Sequence, residues 1–206
     1  MTQVRPDLPR DFVAGHKRRR MMDAMVALVT EKGYEATKIA EVVRRAGVAR
    51  KTLYDNFDGK EEVFLAALDA SFDQLTGAVS EACDDSEEWA TGVEAALAAA
   101  LEFVAEEPAA ARLCLVESIS ATPSSARRYD AAMEEFVAIL AGGAPRQRDT
   151  PATLAESLIG GVAWILQQRV RREPDTSSPE LLPELSKFVL SPYLRVGEVE
   201  HPGRRK

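Results

Sequence analysis

Histidine and cysteine are the scarce residues of this sequence. His16 and His201 lie near the two ends of the 206-residue chain, and Cys83 and Cys114 are its only thiols. No group of His, Cys and carboxylate residues falls at metal-ligand spacing, so neither a metal nor another cofactor is expected. A glycine-rich phosphate loop and a serine nucleophile elbow are also missing, which removes the common signatures of nucleotide-dependent and hydrolytic enzymes. Sequence alone leaves a paired-carboxylate site open, but the expectation is a non-enzyme. Two thiols are too few for a disulfide scaffold. They fit a reducing, cytoplasmic setting and read as small buried hydrophobes. A redox-sensing pair is the rival reading, although only Arg112 is basic near either thiol.

Long apolar runs are missing too. The stretch from Leu158 to Leu166 is nine residues, and a membrane span takes about 20. Asp23 interrupts the apolar residues after the basic N-terminus, so no signal-peptide core is expected there. There are no alternating β-branched runs bounded by turn signals, hence no expected strand, and no internal repeat.

What is present is helical periodicity and an uneven distribution of charge. The net charge of −7 divides into +5 over residues 1–60 and −12 over residues 61–206. A basic end on an acidic body suits contact with a polyanion. Pro6, Asp7 and Pro9 mark residues 1–14 as a flexible arm. From His16 the pattern is helical, with Met22, Met25, Val26 and Val29 on one face and Gly33 as the stop. Lys17 to Arg20 would place positive charge at the start of this helix, against its dipole, and so call for a compensating partner such as phosphate.

Thr37 reads as the N-cap of a second helix that ends at Gly47, and Ala49 to Phe57 as a third. Two short helices around a glycine-containing turn form a helix-turn-helix pattern. Asp58 and Glu61 have capping-box spacing for a fourth helix running to about Cys83. Further helical patterns cover Glu87 to Glu106, Pro108 to about Ser118, Ser125 to Ala141, Ala152 to Arg172 and Pro179 to Leu194. The expectation is an all-α chain of about nine helices. Residues 15–60 would form an N-terminal three-helix helix-turn-helix domain and 61–195 a larger helical body, with 142–151 a loop and 196–206 a flexible tail.

On the third helix, Leu53 and Phe57 share the inward face at i, i+4, which leaves Arg50, Lys51, Thr52, Tyr54 and Asn56 toward solvent or DNA. A recognition helix reads base edges in the major groove from its N-terminal part, where Arg50 and Lys51 stand. Thr37, Lys38 and Lys60, at helix starts, are candidate phosphate contacts. The combination of Gly33-Tyr34, Thr37, Ala46-Gly47-Val48, Thr52-Leu53-Tyr54, Phe57 and Lys60 resembles the N-terminal domain of the tetracycline-repressor (TetR) family of transcriptional regulators. The resemblance covers roughly residues 16–68. Three departures bear on the operator sequence. Ala49 stands where the family often has a capping Ser, Lys51 where Gly or Ala is frequent, and Asp55 where His or Tyr is frequent.

The resemblance implies a regulator, most simply a repressor, released from a double-stranded DNA operator by a small-molecule inducer, and a homodimer formed through the last two helices. The apolar residues of those helices and the mid-helix pair Gly160-Gly161 suit close helix packing. It also implies an inducer site on the middle helices, with Phe103, Leu113, Cys114, Glu117, Phe136 and Trp164 as candidates. The alternative is a helical protein-binding adaptor that keeps the helix-turn-helix as a scaffold and has no affinity for DNA.

Overall fold

The structure, a computed structural model, describes residues 10–145, 151–172 and 181–194, with side-chain environments from residue 15 onward. Among these residues there are nine helices and no strand. The first four are α1 (Arg10–Ala36), α2 (Ile39–Ala46), α3 (Arg50–Tyr54) and α4 (Lys60–Asp84). The body continues with α5 (Trp89–Glu106) and α6, which runs from Pro108 to Ala121 through a π-helical turn at Leu113–Glu117. It ends with α7 (Pro123–Gly142), α8 (Leu154–Arg172) and α9 (Leu181–Leu194). The expected tail, the outer part of the arm and the middle of the loop at 142–151 lie outside the described residues.

Several helix ends differ from the sequence reading. α1 begins at Arg10, inside the segment expected to be an arm. The basic run Lys17–Arg20 therefore sits within the helix, away from its N-terminus. Gly33 does break the helix, with φ 80° and ψ 163°, and the chain resumes helical geometry briefly to Ala36. The N-cap position of α2 belongs to Lys38, whose N–H donates to Glu41 Oε2 at 3.0 Å. At the start of α4 it is Glu62, rather than Glu61, that reaches back, accepting the Asp58 N–H. In both places the carboxylate satisfies a donor that the helix itself cannot. Thr122 caps α7 as half of a reciprocal pair with Ser125, with Pro123 in the first turn.

Two hydrophobic cores result, and α4 is common to both. Met21, Met25, Val29, Val42, Leu53 and Phe57 pack with Val63, Phe64 and Leu68 from the first half of α4. Leu75 and Val79 from its second half join α5, α6, α8 and α9. α6 is likewise divided. Leu113 and Cys114, both 0% exposed, belong to the first core, and Ala111 and Leu115 to the second. The helix-turn-helix thus completes its core with residues from α6 and α7, far along the chain.

Gly47 has φ +61°, and a Cβ there would lie 2.6 Å from Arg20 Nη2. A side chain in this left-handed conformation costs roughly 1–2 kcal/mol. Gly47→Ala is accordingly expected to lower the free energy of urea unfolding by about that amount. An unchanged urea midpoint would contradict the conformational role given to this residue.

Candidate nucleic-acid interface and apolar cavity

The geometry of α3 follows from its inward pair. Leu53 is 0% and Phe57 2% exposed, which fixes how the helix rolls on the core. Ala49 occupies the N-cap without a side-chain bond. The roll turns Arg50, Lys51 and Tyr54 outward, and Tyr54 is 48% exposed. The Arg50 guanidinium lies 5.7 Å from the Tyr54 ring centroid, a loose stack on one exposed face. Thr52 is half-buried at its edge, and Lys38 is exposed at the start of α2.

Three other expected contacts have partners inside the domain. Thr37 is 2% exposed; its hydroxyl donates to the Gly33 carbonyl at 2.9 Å and its N–H to the Tyr34 carbonyl at 3.1 Å. Both donors close the bend after α1, so neither faces a phosphate. Lys60 turns inward as well: Nζ donates to the Tyr34 carbonyl at 3.1 Å and lies 3.9 Å from the Tyr34 ring centroid. Asn56 donates its side-chain amide to the Thr52 carbonyl at 2.7 Å, completing the C-terminal turn of α3.

Sequence reasoning missed the residues that hold this face in place. Arg18 Nη1 donates to the Asn56 carbonyl at 3.0 Å, and its guanidinium lies 4.2 Å from the Phe57 ring centroid. Arg20 Nη2 donates to the Gly47 carbonyl at 3.4 Å. Part of the basic run on α1 therefore tethers the carbonyl ends of α2 and α3, where positive charge is favourable. Phosphate is not needed to compensate it. Two ion pairs, Lys32–Glu41 at 2.6 Å and Arg45–Glu31 at 2.5 Å, join α1 to α2. The Lys32 ammonium, with help from the Lys38 N–H, holds the Glu41 carboxyl below its ordinary range. Burial is the main reason that the Tyr34 phenol is pushed up, with Glu61 and Glu35 adding to it.

In the body, helices α4 to α9 line a cavity of about 90 Å³. Its walls include Leu75, Val79, Ala96, Ala100, Val104, Leu115, Met133, Phe136, Ile159, Val162, Leu166 and Val189, with no ionisable side chain among the lining residues. Of the six expected ligand residues only Phe136 lines it. Phe103 is buried in the surrounding core without reaching the cavity. Leu113 and Cys114 face the N-terminal core instead, on the side of α6 away from Leu115. Glu117 pairs with Arg112 at 3.5 Å and has its Oε2 3.9 Å from where a Cβ on Gly33 would stand, at the junction of α6 and α1. Trp164 is 62% exposed on the outside of α8. The apolar stripes of α4, α5 and α8 carried the signal for the cavity, but a stripe alone does not separate cavity wall from filled core.

The comparisons with known proteins agree with the local geometry. Residues 21–67 match the family model for bacterial regulatory proteins of the tetR family. The chain is 28% identical over 127 residues to the HTH-type transcriptional activator FasR of Mycolicibacterium smegmatis, covering 62% of this chain and 56% of that protein. It is 39% identical over 59 residues to the HTH-type transcriptional repressor KstR of Rhodococcus jostii, covering 29% of this chain and 28% of the repressor. These matches therefore span about half or less of each relative's length. In fold, the chain resembles the transcriptional regulator FadR from Bacillus subtilis, solved in complex with stearoyl-CoA. That likeness has a TM-score of 0.75 at 15% identity, over 84% of this chain and 97% of the other.

The two thiols should differ sharply in reactivity. Cys114 is 0% exposed and burial pushes its thiol far up; burial and then Asp84 raise that of Cys83, which is only half-buried. In a thiol-disulfide exchange assay at pH 8, native protein should titrate Cys83 alone and slowly, and unfolded protein both residues. Rapid labelling of Cys114 in the native state would contradict its place in the core.

Proposed function

We propose that this chain, whose residues 21–67 match the bacterial tetR family of regulatory proteins, is a member of that family and a ligand-responsive, DNA-binding transcriptional repressor that acts as a homodimer. The observation that carries the reading is the outward face of α3. Arg50, Lys51 and Tyr54 are free of partners in the core, while Leu53 and Phe57 anchor the helix from behind. Arg and Lys in the first turn of a recognition helix suit guanine edges and phosphates, and Tyr54 suits a phosphate or an apolar base edge.

Trp164 on α8 and Phe188 on α9 are large, exposed and apolar, 62% and 43% respectively. A Cβ on Gly161 would stand 2.9 Å from Phe188 Cζ, so the glycine lets the two helices approach. Gly160, on the same helix, has no neighbour within 4 Å of a Cβ. A second copy packed on this face would cover Trp164 and Phe188 and place two α3 helices on one side of the dimer. Two-fold related half-sites about one helical turn apart are the matching DNA.

The cavity sets the ligand class. With no polar side chain in the wall it offers nothing to a charged group, and burying one there without a partner is costly. Such a wall suits a hydrocarbon group with its polar head left outside; at about 90 Å³ the cavity holds only a few methylenes, so a long chain enters only as the surrounding helices part. FadR, which has the same fold, was solved with stearoyl-CoA; by analogy we take a long-chain acyl thioester as the inducer class here. Its binding favours a body conformation in which the two recognition helices no longer match the half-sites.

Duplexes recovered by the wild-type protein from a random-sequence pool provide the test. Arg50→Ala and Tyr54→Ala should each weaken binding to the recovered site by roughly 10–100-fold and leave the dimer intact by light scattering. Undiminished affinity would contradict the face assigned to α3. Stearoyl-CoA should displace the wild-type protein from this site. Ala100→Phe, which fills the cavity, should bind the site normally and resist displacement. Equal displacement of both proteins would remove the cavity as the inducer site.

A further inference from the structure

α6 leaves α-helical hydrogen bonding at one place among the described residues. At Leu113–Glu117 the Ser118 N–H reaches back five residues to the Leu113 carbonyl. A π-turn accommodates one more residue than an α-turn, so the segments on its two sides are out of α-helical register. Here the turn lies where neighbouring residues of α6 face different cores. Leu113 and Cys114 pack with α1 and α4 under the DNA-binding helices, and Leu115 lines the cavity. Leu113 and Cys114 are fully buried, so a change of register at Leu115 forces repacking around them.

The ends of α6 are held. Thr30 of α1 donates to the Ala109 carbonyl at 3.4 Å. Ser118 and Ser125 are 0% exposed. Ser118 donates its hydroxyl to the Cys114 carbonyl, and Ser125 Oγ lies 2.7 Å from the Ser118 carbonyl. The π-turn is thus the joint between two fixed ends. From α8, Gln167 Nε2 donates to the Leu115 carbonyl at 2.7 Å. Gln167 directly follows Leu166, another cavity-wall residue.

We propose that the π-turn of α6 couples the cavity to the DNA-binding face, and that Gln167 is the positioning residue that holds the turn in the register seen here. The proposal rests on the regulator reading above. A hydrocarbon chain pressed against Leu115 and Leu166 separates the Leu115 carbonyl from Gln167. The turn then changes register, and Leu113 and Cys114 move against α1 and α4. Coupling of this kind is reciprocal, so DNA must bias the turn as the ligand does, in the opposite sense. The test therefore needs no inducer.

Gln167→Leu keeps most of the side-chain volume and removes the donor. Gln168→Leu serves as the neighbouring control. Amide hydrogen exchange of residues 113–121 is followed in each full-length protein, with and without a duplex recovered by the wild type from a random pool, and duplex affinity is measured by fluorescence anisotropy. Adding duplex should slow exchange across 113–121 in the wild type. Gln167→Leu should exchange there about tenfold faster without DNA and bind the duplex about tenfold more weakly, the scale of one lost internal hydrogen bond. Gln168→Leu should match the wild type in both. Wild-type exchange and affinity in Gln167→Leu would overturn the proposal while leaving the regulator reading intact. So would exchange at 113–121 that ignores DNA in the wild type, a result that stands even if the variant fails to fold. Failure of the wild type to recover any duplex would overturn the regulator reading and this proposal with it.

Discussion

The division of α6 between two cores is the constraint on which the rest of the structure depends. Leu113 and Cys114 are fully buried beneath the first three helices, and Leu115 lies at the cavity in the body. α4 adds a second link, with Phe64 and Leu68 at one end and Leu75 and Val79 at the other. Because both cores share these helices, the helix-turn-helix is not an autonomous bead on a linker. A change of shape in the body has a solid path to α3, made of packed side chains rather than of a flexible hinge.

Within the N-terminal domain, charge has two separate duties. Arg18, Arg20, Lys32, Arg45 and Lys60 are bound to carbonyls, carboxylates or a ring and hold the helices to one another. Arg50 and Lys51 are left exposed on α3. The excess of basic residues over positions 1–60 therefore overstates the positive charge left free on the surface, since a good part of it is internal fastening.

The features legible in the sequence are those set by neighbours along the chain. The nine helices follow from apolar spacing, the inward pair Leu53 and Phe57 from i, i+4 periodicity, and the Gly47 turn from the short gap between two helical patterns. The features that escaped depend on distant partners. Thr37 and Lys60 stand at helix starts and so suggest phosphate contacts, but nothing nearby in sequence announces that the bend at Gly33-Tyr34 takes their donors. The start of α1 at Arg10 escaped because Pro6 and Pro9 pointed to an unstructured arm. The resemblance points to Leu113 and Cys114 as ligand residues, but which side of α6 faces the body depends on packing against α1 and α4, and both residues turn to the N-terminal core. Gln167 carried no signal, since its partner lies 52 residues away.

The central claim is that this chain recognises DNA with the face of α3 that its own core leaves free. Its most direct test is equilibrium binding of the wild-type protein to a duplex from immediately upstream of its own coding sequence, against a scrambled duplex, over a salt series. The account predicts preference for the upstream duplex and a linear fall of log K with log salt as phosphate contacts are screened. No binding to either duplex at low salt would contradict it and favour a scaffold that engages protein instead.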